Sequence, residues 1–595
     1  MFALVALSAL FVVAILLADV VRARMAALEA ESEARRAGRT LLSRFEPGLL
    51  KYGLFGASVG DDRTEGAEKA IAEAAGQASS GAAFRFYDPS SGFRRELTVE
   101  PLYHLADHRV FQHQVLERMK YIAPIEFGIE VTEKLMKAKP QIAAARQYAE
   151  LSKQLQALVD KREAAMDQAW AAAQALAAAA GSGAGSLQPL LDRLHAALEQ
   201  AEAANRDVSK QLNAQAPRAP NGPETVFPHV TVYPAEDFVK YRIGAGTIAS
   251  MHEALAAATA VAAKASEEEA EAVAERAERL RAELRRTVSE WLAVRRAAEA
   301  KREQEGSAIR RQAANQRQAA ETQLNRRRDN WKDLCTVDTL PDYMTLTGTE
   351  GLFEKYRAYN EHLASGGMDP DMNVDDAESF LWSSLNFTEA IGELTGQLLD
   401  ETFVNEYAII HFTYRTDDKY RYPVKVYANI GDKQSHRLKG QEAEYILYGL
   451  PTCHMNLAAM HTELFALRAG LRTMEELLKP ETAAKAASPW IVLLTALAEG
   501  AKAANDDVDS LLAGDAVEVP FVPGVTMDYR DHLRLFYLLH SRDASTLSRM
   551  QALIELNTGL DLMERYSAVR VRTEAAPTFL AYPTARKETE VVVSY

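Results

Sequence analysis

Histidines and carboxylates are where this chain could hold chemistry. His104 and His108 stand four residues apart, with Asp107 between them and His113 close by. On a helix that spacing sets two imidazoles on one face, the beginning of a zinc site. No third ligand follows at matching spacing, so they read as solvated surface histidines. His454 and His461, with Glu463, read the same way, and no HExxH occurs. GSGAGS, from Gly181 to Ser186, looks like part of a phosphate-cradling loop. A helical pattern precedes it, however, and no Gly-Lys-Ser/Thr follows, so it reads as a linker. GASVGDD, from Gly56 to Asp62, lacks the lysine too. There is no Cys-His-Asn order. The expectation is a protein that is not an enzyme, with no catalytic, cofactor-binding or metal residues.

The bulk composition points the same way. The chain has 595 residues and a formal net charge of −15, with a pI of about 5.5. Nucleic acid is thereby excluded as main partner, because phosphate neutralisation needs a basic face. The two cysteines, Cys335 and Cys453, allow one long-range disulfide or two reduced thiols.

The elements that would position any site begin with FALVALSALFVVAILLADVV, Phe2 to Val21, whose only charge is Asp19. As a helix it is about 30 Å long, the thickness of a bilayer core. A signal peptide would have a basic start, a shorter apolar run and a better cleavage site than Val21-Arg22-Ala23. An uncleaved anchor over 1–24 is expected, with Phe2, Leu4, Leu10, Phe11, Ile15, Leu17 and Val21 facing lipid. Arg22, Arg24, Arg35, Arg36 and Arg39 follow the span, and by the positive-inside rule they would hold the body in the cytoplasm. The helix need not end at the membrane. Met25, Leu28, Ser32, Arg35, Arg39 and Leu42 share a partly apolar face, and Pro47-Gly48 stops the rod. Tyr52, Gly53, Phe55 and Gly56 then make a turn whose aromatics pack on the stem or sit at the lipid interface, packing being the favoured role.

Residues 25–140 read as this stem extension plus a small membrane-proximal α+β module. In it, Phe84 to Pro101 suggests two short strands, and Asp107 to Lys137 a helix with Pro124 as kink or boundary. Residues 141–215 read as a helical hairpin, and 216–247 as an extended Pro-rich connector with one edge strand. Over 248–334 a long helix is expected. Val273, Ala277, Leu280, Leu284, Thr287, Trp291, Val294 and Ala298 alternate four and three apart, a heptad seam suited to a coiled coil. Beyond Lys301 it turns polar all round, an exposed or fraying helix. Residues 335–595 read as α+β, with helices at Ala443–Leu450, Leu457–Leu478, Trp490–Leu512 and Tyr529–Leu560. Strands are expected in SAVRVRTEAAPTFL and ETEVVVSY. The fold class is mainly α with an α+β C-terminal region, an N-terminal transmembrane helix and an elongated coiled-coil stalk.

Four stretches together carry a resemblance. They are EAESEARRAGRTLLSRFEPGLLKYGLFG after the apolar stem, VFQHQVLERMKYIAPIEFGIEVTEKL, NEYAIIHFTYRTDD, and QEAEYILYGLPTCHMNLAAMHTELFALRAGL, with the closing VVVSY. The chain so resembles the large TadE/TadG-like proteins that accompany Tad (Flp) pilus systems in Gram-positive-type bacteria. The resemblance implies a cell-membrane protein with one N-terminal span, an exported body, and a pilin-like or accessory role. Its partners would be the lipid bilayer and other pilus-system membrane proteins, with homo- or hetero-oligomers through stem or coiled coil. No prepilin cleavage motif is evident, and Val5 stands where a pilin carries an early glutamate. A cytoplasm-facing, membrane-tethered coiled-coil scaffold or sensor is the alternative that the arginines favour.

Overall fold

The structure is a computed structural model. It describes residues 2–58, 69, 98–122, 134, 137–182, 186–213, 227, 230–264, 267–330, 351–361, 376–393, 399–416, 441–479, 481–482, 486–540, 545–575 and 587–595. Its elements run α1 (Phe2–Leu42), α2 (Pro47–Leu50), β1 (Ala57–Ser58), β2 (Thr98–His104), α3 (His108–Ile122), α4 (Lys139–Ser182) and α5 (Gln188–Asn213). They continue as α6 (Ala235–Ala262), α7 (Glu267–Asn330), α8 (Leu352–Tyr359), α9 (Ala377–Glu393), α10 (Leu399–His411), α11 (Glu442–Tyr448), α12 (Cys453–Leu477) and α13 (Pro489–Leu512). The last are β3 (Val517–Glu518), β4 (Thr526–Met527), α14 (Tyr529–Leu539), α15 (Ser545–Thr558), β5 (Arg565–Ala575) and β6 (Lys587–Ser594). The chain is mainly helical, with strands concentrated near its C-terminal end.

Helix α1 is unbroken for 41 residues. Its first half is bare: Phe2, Leu4, Leu10, Phe11, Leu17 and Val21 are all exposed, and Asp19 is the first buried residue. Its second half carries a stripe of buried small residues, Ala26, Ala30, Ala34 and Ala37. They fall three and four apart, on one helix face. That face lies on the sheet formed by β5 and its neighbours. Of the partly apolar face read from the sequence, Met25, Leu28, Ser32, Arg35 and Arg39 are exposed and only Leu42 is buried. Alanine wins the contact because it lets helix and sheet approach closely. At Gly38 an added Cβ would lie 2.8 Å from Cγ2 of Val593.

The sheet is antiparallel and centred on β5. β2 pairs along one edge, from Thr98↔Arg572 to His104↔Tyr566. β6 pairs along the other, from Ala568↔Ser594 to Ala575↔Lys587, and β1 continues that edge at Tyr566 and Arg565. Alternation sorts the side chains. Val99, Val569, Val571 and Val591 face the stem and are buried, each worth about 1.5–3 kcal/mol on full burial. Arg570 and Arg572 face outward, where Arg570 reaches Glu100 at 2.7 Å and Glu590 at 2.9 Å, and Arg572 reaches Glu590 at 2.9 Å. Such cross-strand pairs steady the register. The stretch read as a membrane-proximal module is thus joined to the distant C-terminal strands. Of the two strands read in Phe84–Pro101, residues 84–97 lie outside the described residues.

Two further cores are helical. One joins the ends of α4 and α5 to α6 and the first half of α7, around Trp170, Leu176, Leu198, Ile248, Leu284 and Trp291. The other is the largest. It gathers α3, the start of α4, the second half of α7 and the helices from α8 to α15. Helix α6 starts at Ala235, inside the stretch read as an extended connector, and no strand occurs among residues 230–234. The polar half of α7 also differs from expectation. Ala320 and Leu324 are buried, the Asn505 amide donates to the carbonyl of Gln323 at 3.1 Å, and Arg326 meets Asp509 at 3.1 Å. Sparse small residues and amide bonds to α13 hold it, where a stripe of large apolar residues was the signal sought. The segment read as one helix from Tyr529 to Leu560 is two, α14 and α15. Asp528 starts α14 with a capping box, taking the Asp531 amide while Asp531 takes its own, which satisfies two otherwise orphan donors.

Candidate functional site

The residues with the clearest physical purpose lie where the stem meets the body. Pro47 opens α2, with Glu46 as its N-cap. The Glu46 amide donates back to the carbonyl of Gly56 at 3.0 Å, so the chain doubles back on itself here. Gly53 has φ +66°, the left-handed region, and a Cβ there would lie 2.6 Å from Cγ of Arg118. Only glycine meets both conditions without strain. At Gly56 a Cβ would lie 2.7 Å from Cδ1 of Leu105. Gly48 is less confined, with Leu560 Cδ1 at 3.3 Å.

The turn is then clamped by the body. Tyr52 is buried and its ring lies 5.5 Å from that of Phe412. The hydroxyl of Tyr407 donates to the Tyr52 carbonyl at 2.8 Å, and His411 Nδ1 bonds the Lys51 carbonyl at 2.8 Å. Burial drives the His411 imidazole down to about 4, and Arg118 opposes its protonation further. Gln114 holds both backbone groups of Phe55, accepting from the amide at 2.8 Å and donating to the carbonyl at 2.9 Å. Phe55 itself stays half-exposed, edge-on to Phe45 at 6.1 Å and tilted against Tyr595 at 5.7 Å. Aromatic packing, expected from the sequence, is what these rings do.

Beside the turn lies a groove of about 750 Å³, between α3 and the ends of β2, β5 and β6. One wall carries the rings of Phe55, Tyr103 and Tyr595; the other carries the polar side of α3. Tyr103 has φ +59°, left-handed although it is not glycine. Such a residue persists only where surrounding contacts hold it. Here the Ser567 hydroxyl donates to its carbonyl at 3.0 Å. A smaller hollow of about 290 Å³, lined by Arg39, Leu42, Phe45 and Tyr595 among others, continues along the stem. The sequence offered no signal for either, since their walls come from opposite ends of the chain.

The histidines have structural partners. His108 is buried, not solvated; its Nε2 meets the Ser548 hydroxyl at 3.0 Å and its amide donates to Asn360 Oδ1 at 3.0 Å. His104 Nδ1 bonds the Met563 carbonyl at 2.8 Å, its ring 4.4 Å from Tyr566. His461 is buried as well. Glu463 accepts from Tyr448 at 2.9 Å and pairs with His540 at 2.9 Å. The His454 side chain and Cys335 lie outside the described residues, as does the Val294 side chain of the seam. Among the described residues no three His, Cys, Asp or Glu side chains gather as a metal site. Three other seam residues pack in the core that includes α6 of the same chain, Leu284 and Trp291 buried and Leu280 partly so, and Val273 is half-buried. The Trp291 ring sits against Gly244, where a Cβ would lie 2.5 Å from its Cδ1.

Sequence reading missed the buried acids of QEAEYILYG. Glu442 accepts from the Thr413 amide and hydroxyl, each at 2.8 Å, and from Asn557 at 2.8 Å. Glu444 accepts from Tyr529 at 2.7 Å and from the Arg415 amide at 3.0 Å. Burial pushes the Glu444 carboxyl up to about 7, against these hydrogen bonds. Arg549 ends the same helix by donating to the carbonyls of Ile446 and Leu447 at 2.8 and 3.0 Å. This hub organises a core; no cavity opens onto it among those described, which are at the stem.

Comparison with known proteins adds no constraint: no family model, no curated protein and no solved structure matches the chain.

Proposed function

We propose that the chain is a non-enzymatic, membrane-anchored envelope protein, a minor pilin-like or accessory component of a Tad/Flp-type pilus. One observation supports this best. A single helix is bare and apolar for its first half and buried against an antiparallel sheet for its second. α1 is the one described helix long and apolar enough to cross a membrane. Its lone hydroxyl near the start, Ser8, is satisfied by the Val5 carbonyl at 2.8 Å, as a helix in lipid requires. An assembly system whose subunits meet through apolar stems in the bilayer would use such a rod. The other partners would be membrane proteins of the same system.

The alternative, a cytoplasm-facing tethered scaffold or sensor, draws on the arginines that follow the span. Topology decides between the two. A reporter fused after Tyr595 should be active only outside the cell; activity only inside would sink the pilus reading. Genes for a pilus ATPase and an inner-membrane platform beside this one are the second expected observation.

A further inference from the structure

We infer that the groove beside the stem binds an acidic saccharide chain, an assignment that stands on the groove and not on the pilus reading. Its volume of about 750 Å³ is in the range of ligand sites. Its two walls differ in kind. On one, Phe55, Tyr103 and Tyr595 are 41%, 57% and 46% exposed, rings held open to solvent although other aromatics of the fold are buried. Tyr121 at the mouth is 87% exposed. Ring faces of this sort stack on the apolar C–H faces of pyranose rings, each contact small and the sum useful.

The other wall carries planar polar groups, His113, Glu117 and Arg118 on α3 and Asp107 just before it. Planar acceptors and donors suit the vicinal hydroxyls of a sugar. Their charges set the ligand's sign. Arg109 is taken by Asp107 at 3.0 Å, and Glu117 by Lys120 at 2.5 Å. Arg118 lines the groove with no ion pair to any described residue, and its Nε has no hydrogen-bond partner. A guanidinium in that state fits a carboxylate, bidentate and planar. Tyr103 is held in its left-handed conformation by the Ser567 bond at 3.0 Å, which fixes the ring on the wall. A wholly apolar ligand would leave Arg118 desolvated and unpaired. An acidic sugar polymer answers both walls; an acidic peptide answers only the second.

The test uses full-length protein in detergent and, as probes, a hyaluronan hexasaccharide, its neutral counterpart chitohexaose, and hexaglutamate. Calorimetry should find the hyaluronan oligomer bound at about millimolar affinity or tighter, and the other two at least roughly tenfold weaker. Arg118→Gln removes the charge, and Tyr103→Phe removes a hydroxyl while keeping the stacking ring. The first should cost roughly tenfold for hyaluronan and leave chitohexaose unchanged, and the second should cost little. Tyr121→Ala, at an exposed ring where folding is not at stake, should weaken hyaluronan several-fold. No binding of any probe, equal binding of hexaglutamate, or equal binding of chitohexaose would each overturn the assignment. Reporter topology leaves this result untouched, so the two proposals fail separately.

Discussion

The Tyr595 hydroxyl donates to the carbonyl of Leu42. It ties the residue after β6 to the last turn of the stem, across nearly the whole sequence. The ring that makes this bond also leans on Phe55, 5.7 Å away. Stem end, turn and sheet therefore form one joint.

The alanine stripe is the most sensitive surface of that joint. Ala30 and Ala34 are 0% exposed against the valines of the sheet. Ala34→Leu forces extra methylenes into a contact that has no room for them, and should cost about 1–3 kcal/mol. Leu28→Ala, on the exposed face, should change stability by less than about 0.5 kcal/mol. Urea unfolding of the detergent-solubilised protein measures both. Equal effects at the two positions would mean the sheet does not sit where described.

The turn makes a second, conformational demand. Gly53→Ala places a side chain at φ +66° and against Arg118, a cost of about 1–3 kcal/mol from the backbone alone. In Gly53→Val with Gly56→Val, Leu105 is displaced too. Limited proteolysis should cut this double variant within the body under conditions where the native chain survives. Wild-type protease resistance would remove the role given to the turn.

What could be read from sequence followed local periodicity. The apolar run of α1 and the strands in SAVRVRTEA and ETEVVVSY have patterns that decide themselves within a few residues. The stem's packing face does not. Ala26, Ala30 and Ala34 look like helix formers, and only the valine sheet makes them an interface. The groove was hidden for another reason: Tyr103 and Tyr595 meet through β2–β5 and β5–β6 pairing, which no local window contains. Glu442 and Glu444 looked like solvent-facing acids because nothing in EAEYILY announces that Thr413, Asn557 and Tyr529 will satisfy them. The polar half of α7 misled in the same way, its contacts with α13 being carried by Ala320, Leu324 and an amide bond.

Among the described residues, three buried groups titrate in the fold between about pH 4 and 7, away from their ordinary values. Glu444 titrates near about 7 in the fold against 4.5 ordinarily, through burial. Its folded value is raised, so its contribution is full below 4.5 and is lost as pH rises to about 7, a change of about 3 kcal/mol. His411 and His532 are lowered from 6.5 to about 4, mainly by burial, with Arg118 and Arg468 respectively adding to it. Theirs is full above 6.5 and is lost as pH falls to about 4. Two protons against one make stability rise up to about pH 6.5 and sag slightly beyond. Glu444→Gln keeps an acceptor for Tyr529 and Arg415 but cannot ionise. Its stability relative to wild type should climb between pH 4.5 and 7 by about 3 kcal/mol. A constant difference over that range would show Glu444 ionising as an ordinary carboxylate.

The buried ion pair at α12 is a separate case. Arg468 has a side chain 0% exposed and meets Asp507 at 2.5 Å, and Arg472 shares the same carboxylate at 2.8 Å. Burial lowers the Arg468 guanidinium, the Arg472 charge adds to that, and Asp507 opposes both. Asp507→Ala strands a buried cation and should cost about 3–5 kcal/mol, whereas Arg468→Met with Asp507→Leu should recover much of that loss. Denaturant midpoints for the two variants decide. If the double variant were no better than the single, packing and not the stranded charge would explain the loss.

The seam of α7 gives the sharpest contrast between an assembly and a fold. In a coiled coil between chains, Leu284 and Trp291 would be exposed in a single copy and truncation would change the oligomer. Instead both are buried against α6, and Gly244 is small because the Trp291 ring occupies its Cβ position. Leu284→Ala should therefore cost about 2–5 kcal/mol and Trp291→Ala about 3–5 kcal/mol. The sedimentation mass should stay that of the wild type in both. A loss of oligomer without a loss of stability would restore the intermolecular seam, because a surface that is empty in one chain costs that chain nothing when trimmed. Gly244→Ala makes the converse test, since its methyl displaces the indole without removing any apolar area. It should destabilise the α6–α7 pair, and Trp291→Leu should then relieve it, a coupling that only two residues in direct contact produce.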